Sequence, residues 1–266
     1  MQAKEFPQTS WIALRSRLLP LSLRIDRRVP LVLLTLCILL LLALVLSVSY
    51  GEYPITPLDV LRAVVGIETR DPNHALVVRS FRLPRILLAL LIGAALAASG
   101  AIIQGITRND LADPGLLGIN TGAGVAVVGY LTFAAVPNQA LLPWLALAGA
   151  LGASAIIYTL AWKGGSSSLR LILLGVGLAS LGAALINFFI TRLALQSAQA
   201  AFVWLTGSVY GSSWPEVRLL ALWLGLLLPI TLLLARQLNV LNLGDALAVS
   251  LGTPVERYRL LLIVLS

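Results

Sequence analysis

The sequence predicts an all-α integral membrane protein, a bundle of helices that crosses the bilayer several times. Hydrophobic residues make up 59% of the 266 residues and charged residues only 11%, whereas a soluble domain carries about 25% charged residues. Uncharged runs recur along the whole chain, and crossing a bilayer core takes about 20 apolar residues. Helices are expected because a lipid-exposed backbone must satisfy its own hydrogen bonds, and these runs are too long for barrel strands.

The uncharged runs predict six complete spans and the start of a seventh. The longest run, Pro114–Trp162, has 49 residues and is split in two by a turn at Pro137–Gln139. The residues from Leu260 to Ser266 are too few to cross a bilayer, so we expect the sequence to end within a seventh helix. The predicted spans are Val29–Gly51, Ile86–Thr107, the two halves of Pro114–Trp162, Leu171–Thr191, Leu219–Ala235 and the beginning of one at Leu260.

The distribution of lysine and arginine predicts the orientation of the chain. With a cytoplasmic N-terminus, inner segments hold 12 of the 19 cations and outer segments hold 7. Because Lys and Arg accumulate in cytoplasmic loops, residues 1–28 are expected to form a cytoplasmic N-terminal extension, and residues 29–266 a transmembrane domain that is incomplete at its C-terminus. Three of the outer cations, Arg79, Arg82 and Arg85, lie within one stretch of seven residues.

The residue inventory argues against several classes of function. The net charge of +8 is carried by loops, and no basic face for nucleic acid is expected. A single cysteine (Cys37) and a single histidine (His74) predict neither a disulfide nor a metal site. The sequence contains no phosphate-binding loop, HExxH or GxSxG motif. We therefore expect no catalytic residues, no cofactor and no ATPase site in this chain.

The composition of the spans bears on the source of energy. Every predicted span is free of charged residues, and polar groups such as Gln104, Asn120 and Asn187 are few. Ion-coupled carriers and channels usually bury an ionisable group within a span. A secondary carrier or channel and a membrane-embedded enzyme stay open as alternatives, but the pattern favours a transporter that is powered from outside the chain.

Residues 79–124 form the most characteristic part of the sequence, RSFRLPRILLALLIGAALAASGAIIQGITRNDLADPGLLGINTGAG. The Arg82-Leu83-Pro84-Arg85 motif, with Pro84 expected in a first helical turn, precedes a span rich in small residues. Gly93, Ala97 and Ala101 share one face of that helix and predict close packing against another helix. A short charged hinge and a second glycine-rich run follow.

This segment resembles the FecCD-type permeases, which are the membrane subunits of ABC importers for iron-siderophores, haem and vitamin B12. The resemblance covers roughly residues 50–266, and one departure is Asp110, where the family commonly has proline. It implies a type II ABC importer permease that imports a ferric siderophore across the bacterial inner membrane, with vitamin B12 or haem as the alternative cargo. The implied partners are a second permease subunit, identical or paralogous, an ABC ATPase dimer, a periplasmic or lipid-anchored substrate-binding protein and membrane lipid.

The resemblance also implies a docking site on the outer side. In the family, arginines of the R-L-P-R motif receive glutamates of the binding protein, and the matching residues are Arg82 and Arg85, with Arg79 beside them. Anchoring at lipid headgroups is the other role open to arginines at the mouth of a span. Charge complementarity favours docking. The segment Trp204–Ser208 is similar to an outer W-x-x-G-S segment of the family, although tryptophan also suits the membrane interface.

A coupling element that seats on the ATPase is implied between residues 236 and 259, a segment that is long for a simple connector. A short amphipathic helix is expected there, ended by Gly252-Thr253-Pro254. Because Leu247, Val249 and Leu251 cannot share one helical face, some of them are expected to face the bundle. The coupling residues are Leu243, Gly244, Asp245, Ala246, Leu247, Ala248, Leu251, Gly252, Thr253 and Pro254.

A third implied site is a cytoplasmic gate. The triplet Ser166, Ser167 and Ser168 lies in a polar loop between two predicted spans. It is similar in kind and place to a Ser/Thr stretch that narrows the cytoplasmic end of the pathway in vitamin B12 permeases. A flexible polar loop is the alternative interpretation of these residues.

Overall fold

The computed structural model describes residues 11–15, 22–26, 28–49, 51, 53–69, 71–134, 136–162 and 168–266. The chain divides into two compact units, Met1–Ile86 and Leu87–Ser266. Apolar helices dominate the described residues, and this confirms the predicted all-α membrane class.

The first unit opens with a short antiparallel hairpin that the sequence did not predict. Strand β1 (Trp11–Arg15) pairs with β2 (Ser22–Asp26), and Trp11 lies opposite Asp26. The carboxylate of Asp26 accepts a hydrogen bond of 3.0 Å from the backbone N–H of Arg28, where the first helix begins. The hairpin therefore adds a small β element to the region that was expected to be a plain extension.

The rest of the first unit packs two short helices against the end of a long one. Helix α1 (Arg28–Ser49) is followed by α2 (Pro57–Val65) and α3 (Pro72–Leu76). Thr56 caps the N-terminus of α2, and Gly66, at φ +93°, ends that helix in the left-handed conformation that glycine favours. A small apolar core holds these elements together, formed by Val48, Ile55, Val60, Ala63 and Val78.

One helical stretch of 36 residues, Pro72–Thr107, takes the place of the shorter predicted span that began at residue 86. It consists of α3, a π-helical segment (Val77–Arg82) and α4 (Leu83–Thr107). The wide π turn lies just before Pro84, whose ring crowds the preceding turn and which has no N–H to donate. The expectation that Pro84 lies in a first helical turn is therefore wrong, because the helix begins twelve residues earlier.

The described secondary-structure elements of the second unit are all helices, joined by short loops. Short 3₁₀ turns at Pro114–Leu117 and Gln139–Leu141 precede its second and third helices. After α4, the helices are α5 (Ile119–Phe133), α6 (Leu142–Ala161), α7 (Ser168–Ile190), α8 (Leu195–Thr206), α9 (Trp214–Leu233), α10 (Ala235–Asn242), α11 (Asp245–Ser250) and α12 (Val255–Leu265).

Among the described residues, five helical stretches are long and apolar enough to cross a bilayer. The third predicted span corresponds to α5, whose 15 residues reach about 22 Å at 1.5 Å per residue, less than the roughly 30 Å of a bilayer core. Helix α12 covers the start of the predicted seventh span. The five stretches are Arg28–Ser49, Pro72–Thr107, Gln139–Ala161, Leu169–Ile190 and Trp214–Leu233.

Small residues bring the backbones of α5 and α6 into contact. A Cβ atom added to Gly122 would lie 2.6 Å from the carbonyl oxygen of Gly149, so neither position has room for a side chain. Small residues in the third predicted span therefore do permit close helix packing. The face of α4 that was expected to pack in the same way is different: a Cβ at Gly93 would meet no neighbour within 4 Å among the described residues, and Ala97 and Ala101 are exposed.

Candidate functional site

Arg82, one of the expected docking residues, turns its guanidinium onto the first unit's own backbone. Its nitrogens donate hydrogen bonds to the carbonyl oxygens of Val48 at 2.5 Å, Ser49 at 3.4 Å and Tyr53 at 2.5 Å. The first two carbonyls belong to the last turn of α1, which has no intrahelical partners for them and carries a partial negative charge. Arg82 therefore caps α1 and fixes the loop that follows it.

Arg79 occupies a more open position on the π segment. Its Nε donates a hydrogen bond of 2.6 Å to the carbonyl oxygen of Ala63 in α2, and the residue as a whole is exposed. It lines a cavity of about 630 Å³ in the first unit together with Gly66, Glu68 and Thr69. Arg85, six residues after Arg79, is half-buried. The three arginines thus share one helical stretch but differ in how much of each a partner could reach.

A buried carboxylate, that of Asp59, lies next to the single histidine, and the sequence did not predict this pairing. Asp59 is almost fully buried, accepts a hydrogen bond of 2.9 Å from the hydroxyl of Thr56, and lies 3.6 Å from Arg62 and 3.7 Å from Nδ1 of His74. This cluster ties α2 to α3. The Thr56-x-x-Asp59 spacing, which is typical of a capping box, was the signal that could have revealed it.

A second polar contact joins the loop after α1 to the start of α3. The hydroxyl of Tyr53 donates a hydrogen bond of 2.5 Å to a carboxylate oxygen of Asp71, which caps α3, and the rings of Tyr53 and His74 meet edge to face at 5.6 Å. The donated hydrogen bond holds the pKa of Asp71 below its usual range and raises the pKa of Tyr53. Across the described residues, no group of three or more His, Cys, Asp or Glu side chains could hold a metal ion.

The expected coupling segment forms a short helix with a well-defined end. Helix α11 begins after Gly244, at φ +110°, and stops before Gly252, at φ +75°. The N–H of Gly252 donates to the carbonyl of Val249 at 2.9 Å, and that of Thr253 donates to Ala248 at 3.0 Å. These paired bonds make the Schellman arrangement that ends many helices at glycine. The predicted break at this position is confirmed.

The apolar side chains of the segment are arranged differently from the prediction. Leu247, Val249 and Leu251 are 56%, 64% and 64% exposed, whereas Ala248 is completely buried and Val255 nearly so. The expectation that part of the leucine and valine set faces the bundle is wrong, because the small Ala248 provides the contact instead. The segment therefore presents three large apolar side chains that the described residues leave uncovered.

An ion-pair cluster lies at the start of the same segment. Oδ1 of Asp245 accepts from Arg108 at 3.0 Å and from Arg259 at 2.8 Å, and Oε1 of Glu256 lies 3.3 Å from Arg259. The Arg259 side chain is 1% exposed. Arg108, just after α4, adopts the left-handed conformation at φ +54°, which non-glycine residues seldom adopt. Asp245 was predicted as a coupling residue, but its two partners were not.

The expected gate falls mostly outside the described residues. Ser166 and Ser167 are not among them, and Ser168 is the first residue of α7. At the adjoining helix ends, the guanidinium of Arg170 donates a hydrogen bond of 2.9 Å to the carbonyl oxygen of Ala161, the last residue of α6. The gate assignment stays a prediction.

A wide cavity of about 950 Å³ opens in the second unit. Residues of α4, α6 and α8 line it, as do Trp204, Gly207 and Ser208 of the segment that was singled out in the sequence. Its wall mixes apolar side chains with amides and hydroxyls, including Gln139 and Gln196. A cavity of this size and composition suits an organic ligand of considerable bulk.

Comparison with known proteins identifies the family. Residues 39–266 match the FecCD transport family. The chain is 45% identical over 234 residues to the achromobactin transport system permease protein CbrC of Dickeya dadantii (strain 3937), which covers 87% of this chain and 66% of CbrC. It is 40% identical over 243 residues to the iron(3+)-hydroxamate import system permease protein FhuG of Bacillus subtilis (strain 168), covering 88% of this chain and 72% of FhuG.

A third relative and a solved structure agree with this result. The ferric enterobactin transport system permease protein FepG of Escherichia coli (strain K12) is 36% identical over 240 residues, covering 88% of this chain and 71% of FepG. A solved structure described as an inward-facing metal-chelate type ABC transporter superposes with a TM-score of 0.76 at 30% identity, covering 89% of this chain and 72% of that one. The chain spans about two thirds of the length of these relatives. The expected family is confirmed: this multi-pass membrane chain belongs to the FecCD transport family.

Proposed function

We propose that this chain is the permease subunit of an ABC importer that carries a ferric siderophore across the bacterial inner membrane. The observation that carries the proposal is the family match over residues 39–266 together with relatives named as permeases for achromobactin, iron(3+)-hydroxamate and ferric enterobactin. These relatives favour a ferric chelate over the alternatives, vitamin B12 and haem. The central apolar runs of the spans, such as Ile86–Thr107 and Leu171–Thr191, hold no charged residue, and this disfavours a secondary carrier or channel.

Translocation requires partners that supply energy and cargo. The chain lacks a phosphate-binding loop, so a separate ABC ATPase dimer hydrolyses ATP. A periplasmic or lipid-anchored binding protein delivers the chelate, and a second permease subunit, identical or paralogous, completes the pathway. The wide cavity beside Trp204 is a candidate for the wall of that pathway, because its mixed lining would bind a bulky chelate without holding it tightly.

The coupling role is assigned to the segment from Leu243 to Pro254. Four large apolar side chains are exposed on it, Leu243 before Gly244 and Leu247, Val249 and Leu251 between Gly244 and Gly252. An exposed apolar group of this kind, on a helix fixed at both ends by glycines, suits insertion into a groove of the ATPase. The serine triplet at 166–168 is proposed as the gate at the same membrane face.

The docking role is divided among the outer arginines. Arg79 offers the most exposed side chain and Arg85 a half-buried one, and both would meet glutamates of the binding protein. Arg82 has a supporting part, because its guanidinium holds the end of α1 and the loop beside it. Docking would therefore depend on Arg82 through the shape of the loop as well as through its charge.

The proposed orientation places the N-terminus in the cytoplasm, since inner segments hold 12 of the 19 cations. It predicts that a membrane-impermeant thiol reagent added to intact cells labels Asn73→Cys and spares Asn239→Cys, on a Cys37→Ala background. Both positions are exposed, so access to the side chain is matched. Permeabilised cells, in which both cysteines should react, are the control. Labelling of position 239 alone in intact cells would reverse the orientation and, with it, the docking, coupling and gate assignments.

Transport by the assembled complex tests the function. Proteoliposomes that contain the permeases, the ATPase and the binding protein are expected to accumulate a ferric hydroxamate, citrate or catecholate chelate in preference to cobalamin or haem. Preferential accumulation of cobalamin or haem would support an ABC importer but show that its cargo is not a ferric siderophore.

A further inference from the structure

We propose that the carboxylate of Asp245 is a releasable latch that joins the coupling helix α11 to two other helices of the second unit. The latch transmits movement of α11, driven from the ATPase, to the membrane-spanning part of the chain. Asp245 is thus a positioning residue for transport. This inference rests on the proposed function, which supplies the ATPase partner.

The geometry of the cluster gives Asp245 this central place. A single oxygen, Oδ1, accepts hydrogen bonds from Arg108 at 3.0 Å and from Arg259 at 2.8 Å. Arg108 follows the last residue of α4, Arg259 lies in α12, and Asp245 is the first residue of α11. The carboxylate therefore joins three elements that are 137 and 14 residues apart in the sequence. Charge-assisted bonds of this length are the stronger kind of protein hydrogen bond.

The surroundings hold the two partners of the latch in place. A Cβ atom on Gly244 would lie 3.3 Å from a guanidinium nitrogen of Arg108, so the glycine leaves room for that arginine beside the start of α11. On the other side, the hydroxyl of Tyr158 in α6 donates to Glu256 at 3.3 Å, and Glu256 contacts Arg259 at 3.3 Å. The cluster is thereby connected to a fourth helix.

The same contacts make the latch releasable. Removing the only counter-charge from a buried arginine is strongly unfavourable, and Arg259 is 1% exposed. Arg259, however, contacts two carboxylates, so when Asp245 moves away Glu256 still neutralises it. The side chains of Arg108 and Asp245 are 33% and 39% exposed, so water can solvate both after separation. Two arrangements are therefore accessible, one with α11 attached and one with it free.

The experiment compares the whole reconstituted transporter carrying Asp245→Asn, Asp245→Glu or the control Asp110→Asn. Asp110 is an exposed acid two residues from Arg108, so the control makes the same change of charge in the same region. Two quantities are measured with iron-loaded binding protein present: ATP hydrolysis and accumulation of the radiolabelled ferric chelate that the wild-type complex imports. Their ratio, ATP hydrolysed per chelate imported, is the readout.

Loss of the latch should leave α11 seated on the ATPase while its movement no longer reaches α4 and α12. Asp245→Asn is therefore expected to raise the ratio by about tenfold, within the usual range of coupling between sites. Asp245→Glu, which keeps a carboxylate, should restore most of the coupling, and Asp110→Asn should match the wild type. Should Asp245→Asn fail to assemble, Arg108→Gln, which removes the exposed arm of the latch, is expected to raise the same ratio.

The proposal is overturned if Asp245→Asn and Arg108→Gln lower hydrolysis and uptake by the same factor, because a purely structural residue would do so. It is also overturned if the glutamate variant is as uncoupled as the asparagine variant. A wild-type complex that imports none of the chelates would refute the proposed function itself, a result distinguishable from failure of the latch.

Discussion

Replacing Leu251 with glutamate is expected to reduce uptake by about tenfold or more. The few residues that dominate an interface are each worth about 2 kcal/mol or more, and a buried charge adds a desolvation cost. Leu251 is 64% exposed at the end of α11, and a charge there would have to be desolvated against an apolar groove of the ATPase. Because the side chain lies outside the core, the permease itself should reach the membrane at a normal level. ATP hydrolysis by the assembled complex should lose its stimulation by loaded binding protein.

Leu111→Glu is the matched control for this change. Leu111 is 87% exposed in the loop after α4, so the same substitution is made on an even more accessible leucine outside the coupling segment. Gly252→Asp is a second test, in which the side chain also strains a backbone at φ +75°. If Leu251→Glu co-purifies with the ATPase and transports like the wild type, the segment is an ordinary loop and the contact lies elsewhere.

Reversing the charges of Arg82 and Arg85 together is expected to abolish measurable uptake and to weaken the affinity for the binding protein by about tenfold or more. An ion pair that is desolvated in an interface contributes more to binding free energy than a pair exposed to water. Arg82→Glu also removes the donor to the carbonyls of Val48, Ser49 and Tyr53, so the loop should loosen. Affinity is measured with the purified binding protein on permease in nanodiscs, and expression is followed in membranes.

Two single variants separate charge from loop shape. Arg79→Glu changes an exposed docking candidate, so it should weaken the affinity for the binding protein and leave the loop after α1 protected from protease. Arg82→Gln should weaken that affinity and also expose the loop to protease. Arg218→Glu, another exposed arginine outside the cluster, is the control. Unchanged affinity in the Arg82 and Arg85 double variant would show that neither arginine docks the binding protein, and would leave Arg82 with its contacts to the end of α1 alone.

The membrane spans could be predicted from sequence because the bilayer sets one dominant rule. Uncharged runs of sufficient length must be helical there, so the apolar helices were expected close to where they are found. The start of the second span was missed, because proline is common in the first turn of a helix and Pro84 was expected there. The π-helical segment that allows Pro84 to lie inside a longer helix cannot be recognised from hydropathy. The N-terminal hairpin was missed as well. Its strands have only five residues each, and although Ser22–Asp26 alternates polar and apolar residues, Trp11–Arg15 does not.

The functional residues were predictable only in part, and the reason is distance along the chain. Gly252 marks a helix end by local chemistry, so its role could be predicted from the sequence. The pairing of Asp245 with Arg108, 137 residues away, is a tertiary contact that no local pattern specifies. Arg82 shows the same limit: its sequence neighbours suggested a partner protein, whereas its guanidinium contacts carbonyl oxygens 29 to 34 residues earlier.

The energy source of transport distinguishes the permease of an ABC importer from a secondary carrier. The measurement is accumulation of radiolabelled ferric chelate in proteoliposomes that hold this chain, its partner permease, the ATPase and the binding protein. Accumulation is expected to require both ATP and the loaded binding protein and to persist when proton and sodium gradients are collapsed. Accumulation that continues without ATP and stops when those gradients are collapsed would contradict it, because the chain would then be a secondary carrier.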